Sequence, residues 1–204
     1  MTTRQTTMRG VDVSIILPGT WATIAVDDVA AVSERTIAAL VKRQVGRDDR
    51  LAGVRRQTRD QLRDVVARAR GLGVFQVALS LEILPGVPFP AALFLDFSPW
   101  DDARPERAEH TTRLRAMLPS GEILDLEPGL TMRTWRQVEI TPGSELTSDT
   151  KLEYLLPTPD GEQLLHIVAD APVECEPEMI VALFDSMVDS IRWLDPLGAI
   201  DGIR

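Results

Sequence analysis

The sequence contains very little cysteine and very little lysine. Cys175 is the only cysteine, so one chain can form neither an internal disulfide nor a thiolate metal cluster. We therefore expect a reducing, cytoplasmic location. Lysine is limited to Lys42 and Lys151 among the 22 basic residues, a bias typical of GC-rich bacterial genomes.

Long apolar runs are also missing. The first ten residues are polar and lack the apolar core of a secretory signal, and no segment approaches the roughly 20 apolar residues of a membrane span. The formal net charge of −9 opposes binding to nucleic acid or to an anionic membrane. We therefore expect neither of these partners.

Hydrophobic periodicity predicts four helices. The first ends at Gly46, the second runs from Asp48 or Asp49 to Gly71, a short third passes through His110, and the last covers 178–194. Alternating apolar residues and turn signals predict strands that pair as hairpins: 11–17 with 21–26, 75–83 with 91–97, 122–126 with 130–141, and 151–157 with 163–169.

These elements predict an α+β fold in which a largely antiparallel sheet is flanked by helices. At 204 residues, without repeats or a long linker, the chain fits one sandwich domain over 11–194. We expect 1–10 to be a flexible N-terminal tail and 195–204 to be a C-terminal tail.

The order of elements resembles the PsbP-like α/β/α sandwiches. The resemblance starts at Leu17-Pro-Gly-Thr-Trp21 and closes with a helix ending in Asp189-Ser-Ile-Arg-Trp193. The sequence itself is similar to proteins of actinobacterial type. The resemblance implies a binding or accessory role, and it carries over no functional residue.

The two histidines are the first candidates for acid–base or metal chemistry, because imidazole titrates near neutrality. His110 lies on the third predicted helix and His166 within a strand, and their spacing matches no metal motif. Each is more simply a structural or solvated residue. A catalytic or ligand site that includes one of them would have to be assembled in space.

Other reactive groups give no motif. Glu174 and Glu176 flank Cys175, and their charge raises a thiol pKa, so an inert cysteine is favoured. Paired aspartates at 27–28 and 48–49 are explained as helix caps, and Asp101-Asp102 as a solvated loop. Phosphate-binding and dinucleotide-binding glycine loops are absent from the sequence. We predict no catalytic residue, no metal and no cofactor.

The second predicted helix is rich in arginine, against the acidic charge of the chain. Arg55, Arg59 and Arg63 form the centre of this surface, where guanidinium groups could bind an acidic protein partner. The simpler interpretation is a solvated face with local ion pairs, such as Arg56 with Asp60.

Two tryptophans are candidate partner contacts. Trp100 follows a strand in a polar loop, and Trp135 shares a strand face with Arg133 and Gln137. Tryptophans often anchor interfaces, although packing beneath a loop explains them equally well. Trp21 and Trp193 are predicted core residues.

The sequence therefore predicts a non-catalytic, cytoplasmic protein-binding or accessory module. The alternative is an enzyme or small-ligand-binding protein whose site includes His110 or His166. A homodimer through a sheet edge is compatible with either hypothesis.

Overall fold

The described part of the chain contains strands and helices, most of them at the positions that hydrophobic periodicity predicts. The computed structural model describes residues 3–8, 13–26, 30–46, 48–84, 86–100, 109–140, 147–172 and 176–194. Within these ranges the elements are β1 (Thr3–Met8), β2 (Val13–Pro18), β3 (Thr20–Ala25), α1 (Ala30–Val45), α2 (Ala52–Gly71), β4 (Gln76–Leu84), β5 (Val87–Pro88), β6 (Ala92–Pro99), α3 (His110–Met117), β7 (Glu122–Leu126), β8 (Gly129–Ile140), β9 (Thr147–Pro157), β10 (Gln163–Pro172), α4 (Pro177–Asp189) and β11 (Arg192–Trp193).

The larger sheet is antiparallel and has the strand order β3-β4-β6-β10-β9-β8-β7, with β5 beside β4. The turn between β9 and β10 shows the predicted chemistry: Gly161 takes a φ of +72°, and the backbone N–H of Glu162 donates to Asp160. Leu164 then pairs with Pro157. The predicted α+β fold, a largely antiparallel sheet flanked by helices, is confirmed.

Side-chain alternation divides the sheet into two faces. On β10, Leu165 and Ile167 join the core beneath α4, together with Phe184 and Trp21. His166 lies between them in sequence and therefore faces the opposite side of the sheet. This alternation decides which residues can form a site.

Three helices cover the opposite face. Ile37 of α1 and Val66 of α2 pack on Val77 of β4, and α3 packs through Leu114 on Met132. The central strands β6, β10 and β9 lie between these two clusters. They carry the charged residues of that face.

The predicted opening hairpin is wrong. β2 lies between β1 and β11 in a separate three-stranded sheet, whereas β3 pairs with β4 in the larger sheet. Only Gly19 separates β2 from β3, and a tight antiparallel hairpin needs a connection of about two residues. Gly19 has a φ of +86°, and it directs the chain from one sheet to the other.

The last helix is shorter than predicted. It ends at Asp189. The hydroxyl of Ser190 accepts a hydrogen bond from the backbone N–H of Ile16, and Arg192 then pairs with Ser14 of β2. The predicted N-terminal tail contains β1, in which Thr3 pairs with Pro18. The predicted C-terminal tail, 195–204, lies outside the described residues.

Candidate binding groove

Two clefts lie between the helices and the sheet. The first is lined by α1 and α2 and chiefly by β4 and β6, and the second by α2 and chiefly by β6 and β10. One has a volume of about 520 Å³ and the other of about 630 Å³, and Phe94 lines both. Together they follow α2 from Thr58 to Leu72. At 1.5 Å per helical residue this wall is about 21 Å long. We call the combined cleft the α2 groove.

The helical wall of the α2 groove is mostly apolar. Its lining residues recur every three or four positions and therefore share one side of the helix: Thr58, Leu62, Val65, Ala69 and Leu72. The structure buries Ala69 there, but it leaves Leu72 78% exposed at one end of the groove.

The sheet side of the groove carries an ionic cluster centred on His166. Nδ1 of His166 lies 2.9 Å from Oδ2 of Asp96, and Nε2 lies 3.1 Å from Oε1 of Glu153. The hydroxyl of Ser98 donates to the other oxygen of Asp96 at 2.7 Å. Strand register brings these residues together, because His166 pairs with Asp96 across β6 and β10.

This arrangement holds the imidazole in its charged form. Burial opposes the charge, but the hydrogen bonds and attraction from Asp96 and Glu153 outweigh it and raise the pKa of His166 to about 9. The hydrogen bond from His166 in turn lowers the pKa of Glu153. An imidazolium bonded through both nitrogens has no lone pair with which to accept a proton or bind a metal at neutral pH.

Two carboxylates lie at the other end of the groove. Asp149 and Asp170 line the smaller cleft, and Lys151 donates to Asp170 at 2.8 Å. Burial, followed by repulsion from Asp170 and a hydrogen bond with it, raises the pKa of Asp149, against the attraction of Lys151. This end therefore has two carboxyl groups and one ammonium group.

His110 takes no part in the groove. Its ring stacks on Trp100 with centroids 5.5 Å apart, and the guanidinium of Arg113 lies 3.8 Å above the Trp100 ring. The indole N–H donates to the carbonyl of Gly161 at 3.0 Å. Trp100, a predicted partner contact, is thus half-buried against α3 and the β9–β10 turn.

The predicted arginine surface makes contacts within the chain. Arg55 donates to the carbonyl of Asp48 at 2.6 Å, and Arg63 forms a two-pronged bond to Glu34 of α1, with both distances 2.7 Å. The Nε atom of Arg59 is buried without a hydrogen-bond partner among the described residues. Whether these arginines also bind a partner stays a prediction.

Trp135 lies on the other side of the molecule. It pairs with Leu152, which belongs to the core beneath α4, so its strand position faces away from α1 and α2. Its side chain is 40% exposed. The predicted site residues therefore form no single surface: the arginines and Trp135 belong to opposite faces of the sheet.

A second ionic cluster supports α4. Arg133 pairs with both Glu122 and Asp185, and the hydroxyl of Tyr154 donates to Asp185 at 2.8 Å. Burial is the main cause that raises the pKa of Tyr154, and the charge of Asp185 adds to it. Because Arg133 and Tyr154 of the sheet both bond to Asp185 of α4, this cluster stabilises the packing of the helix on the sheet.

Asp27, Asp28, Asp101, Asp102 and Cys175 fall outside the described residues. Among the residues that are described, no group of three or more His, Cys, Asp or Glu side chains is arranged to hold a metal ion. No helix in the described ranges is both long and apolar enough to cross a membrane.

Two solved structures align with this chain over almost its whole length, at low sequence identity. No protein-family model and no curated protein matches the sequence. Among solved structures, a mutant of protein Mog1 aligns with 11% identity and a TM-score of 0.48, over 98% of this chain and all of that one (100%). The Ran-binding protein Mog1p of Saccharomyces cerevisiae aligns with 10% identity and a TM-score of 0.47, over 96% and 97% of the two chains. Likeness at this level carries no functional argument.

Proposed function

We propose that this protein is a non-catalytic binding module that holds a segment of a partner protein in the α2 groove. The observation that carries the proposal is the pair of clefts that follows α2 for about 21 Å, with helices on one side and the sheet on the other. That length matches about four turns of helix, or about six extended residues. The single cysteine is our reason for placing the module in the cytoplasm.

The surface chemistry of the groove supports binding of a peptide segment. Leu62, Val65 and Leu72 provide apolar contact along α2, and the sheet side adds Phe94 and Val168 together with charged groups. Apolar anchors combined with polar groups that fix orientation are the usual composition of helix-in-groove and extended-peptide sites.

The state of His166 supports a role without catalysis. A general base must be able to accept a proton at the working pH, and a histidine with a pKa of about 9 is already protonated at neutrality. Both of its nitrogens are also engaged by carboxylates. The cluster therefore suits a fixed charged surface better than proton transfer.

Site-specific photocrosslinking tests the proposal. A benzophenone amino acid replaces Leu72 in the groove, and in a second protein it replaces Leu130, an exposed leucine of β8 that does not line the groove. After irradiation in native lysate, we expect one protein to be joined at position 72 and not at position 130. Mass spectrometry of the adduct identifies the segment that is bound.

A matched pair of variants shows whether the groove itself is responsible. Val65→Trp narrows the groove, whereas Val54→Trp makes the same change at an exposed position of α2 outside it. The adduct should disappear in the first variant and persist in the second. Equal crosslinking at positions 72 and 130, or an adduct that survives Val65→Trp, contradicts the proposal. If native mass spectrometry instead detects a bound small molecule that is lost in Val65→Trp, the groove binds a small ligand and not a protein segment.

A further inference from the structure

We infer that the segment bound in the α2 groove is basic, with a lysine or arginine side chain beside Asp149 and Asp170 and apolar side chains along the wall of α2. This inference rests on the proposed function and specifies the chemistry of the partner. Its support is the distribution of charge and apolar surface along the groove.

The smaller cleft has an excess of negative charge. Asp149 and Asp170 both line it, and Lys151, which bonds to Asp170 and also attracts Asp149, supplies one positive charge against two carboxyl groups. All three side chains are partly buried, so water screens their interactions less than on an open surface. A second cation placed between the carboxylates would relieve the repulsion between them.

The opposite end of the groove is close to neutral. His166 carries one positive charge between the two carboxylates of Asp96 and Glu153, and Arg68 on the α2 wall adds another. Two negative and two positive groups therefore balance there. The charge of the groove favours a cation at the Asp149 end and an uncharged, apolar side chain beside Leu72.

The charge of the whole chain acts in the same direction. A protein with a formal net charge of −9 attracts basic segments and repels acidic ones over distances of about 10 Å. An acidic segment in the groove would meet this field and would also bring a third carboxylate to the Asp149 end. Charge complementarity therefore selects a basic, apolar segment.

Selection from a random peptide library tests this inference without a known partner. The protein is immobilised and used to select displayed random peptides of about sixteen residues, enough to span the groove in a helical or an extended conformation. We expect enrichment of peptides that combine lysine or arginine with two or more large apolar residues. One enriched peptide is then synthesised, and its affinity is measured by fluorescence anisotropy.

Two double variants test whether the basic side chain of the peptide binds beside Asp149 and Asp170. Asp149→Asn with Asp170→Asn should weaken binding of the peptide about tenfold, as expected for the loss of charge-assisted hydrogen bonds. Asp125→Asn with Glu139→Gln changes the net charge equally at exposed positions outside the groove and should alter the affinity less than about twofold. Circular dichroism establishes that both variants fold.

The outcomes separate this inference from the proposed function. Peptides that bind and are lost in Val65→Trp, but that show no basic preference, overturn the inference and leave the proposed function intact. A basic peptide that binds both double variants equally well also overturns it. If no peptide is enriched, or if binding is unaffected by Val65→Trp, the proposed function fails, and the inference fails with it.

Discussion

The Nδ1 atom of His166 lies 2.9 Å from Oδ2 of Asp96 on the neighbouring strand. The other ring nitrogen bonds to Glu153, so one imidazole connects β6, β10 and β9 on the face that forms the groove. Because both partners are carboxylates, the bonds are strongest when the ring is protonated. The cluster therefore makes the stability of the fold depend on pH.

We predict that His166→Gln destabilises the protein more at low pH than at high pH. The pKa of His166 is raised from 6.5 to about 9, so its stabilising contribution is complete below pH 6.5 and is lost as the pH rises through 9. Urea denaturation at pH 6 should show a loss larger by roughly 2 kcal/mol than the loss at pH 9.5. His110→Gln is the control, and a loss that is the same at both pH values would contradict the assignment.

Substitution of two glycines by alanine should have very different effects. Gly19 and Gly46 both have a positive φ, of +86° and +83°. A Cβ at Gly46 meets no atom within 4 Å, so Gly46→Ala should cost only the backbone strain of about 1–2 kcal/mol. At Gly19 a Cβ would overlap the backbone of Glu82 and Ile83, so Gly19→Ala should cost more than about 4 kcal/mol.

Thermal denaturation of these two glycine variants measures the difference directly. A Gly19→Ala protein as stable as Gly46→Ala would show that the passage from β2 to β3 is less tightly packed than the structure has it.

The cluster beneath α4 should be sensitive to loss of its cation. Arg133→Met leaves the partly buried carboxylate of Asp185 without its guanidinium partner, and we expect a loss of about 3–5 kcal/mol. Tyr154→Phe removes one hydrogen bond to the same carboxylate and should cost about 1–2 kcal/mol.

A double-mutant cycle with Asp185→Asn tests the coupling in this cluster. Arg133→Met should cost clearly less when Asp185 is already neutral, and additive losses measured by urea denaturation would be inconsistent with a direct ion pair.

The arginine surface of α2 gives a prediction that concerns both stability and binding. Reversing the charge of Arg55, Arg59 and Arg63 to glutamate removes the bonds to Asp48 and Glu34, so we expect a lower urea midpoint. If the partner occupies the groove, crosslinking at position 72 should stay within about twofold of wild type under conditions where the variant is folded.

Charge reversal at exposed arginines outside α2 controls for net charge in that experiment. Arg35, Arg43 and Arg115 are exposed and can be changed to glutamate together. Loss of the partner only when the α2 arginines are reversed would place the interface on the arginine surface, as the sequence alone suggested, rather than in the groove.

Local sequence patterns predicted turns and helix ends correctly where these depend on residues close together in the sequence. The Thr158-Pro-Asp-Gly161 turn joins β9 and β10 as expected. Asp48, a predicted helix cap, accepts from the backbone N–H of Arg50 at the start of a short 3-10 helix, Asp49–Leu51, that precedes α2. Gly46 follows the end of α1 with a positive φ. These features depend on backbone conformation and on neighbours within a few residues.

The same patterns failed where distant segments compete for a strand. β2 resembles the first half of a hairpin in sequence, yet it pairs with β1 and β11. The end of the predicted last helix, Arg192–Trp193, pairs with β2 instead of extending α4. Helical periodicity cannot reveal this, because the hydrogen bonds that replace the helix come from residues far away in the sequence.

The sequence by itself determined the class of fold, the acidic charge and the absence of recognisable catalytic motifs. These follow from composition and from periods of two and 3.6 residues. Only the tertiary structure decided the candidate site. Asp96, Glu153 and His166 lie on three separate strands that are far apart in sequence. Antiparallel register brings them within hydrogen-bond distance. The α2 groove likewise depends on how α2 packs against the sheet, which no local pattern records.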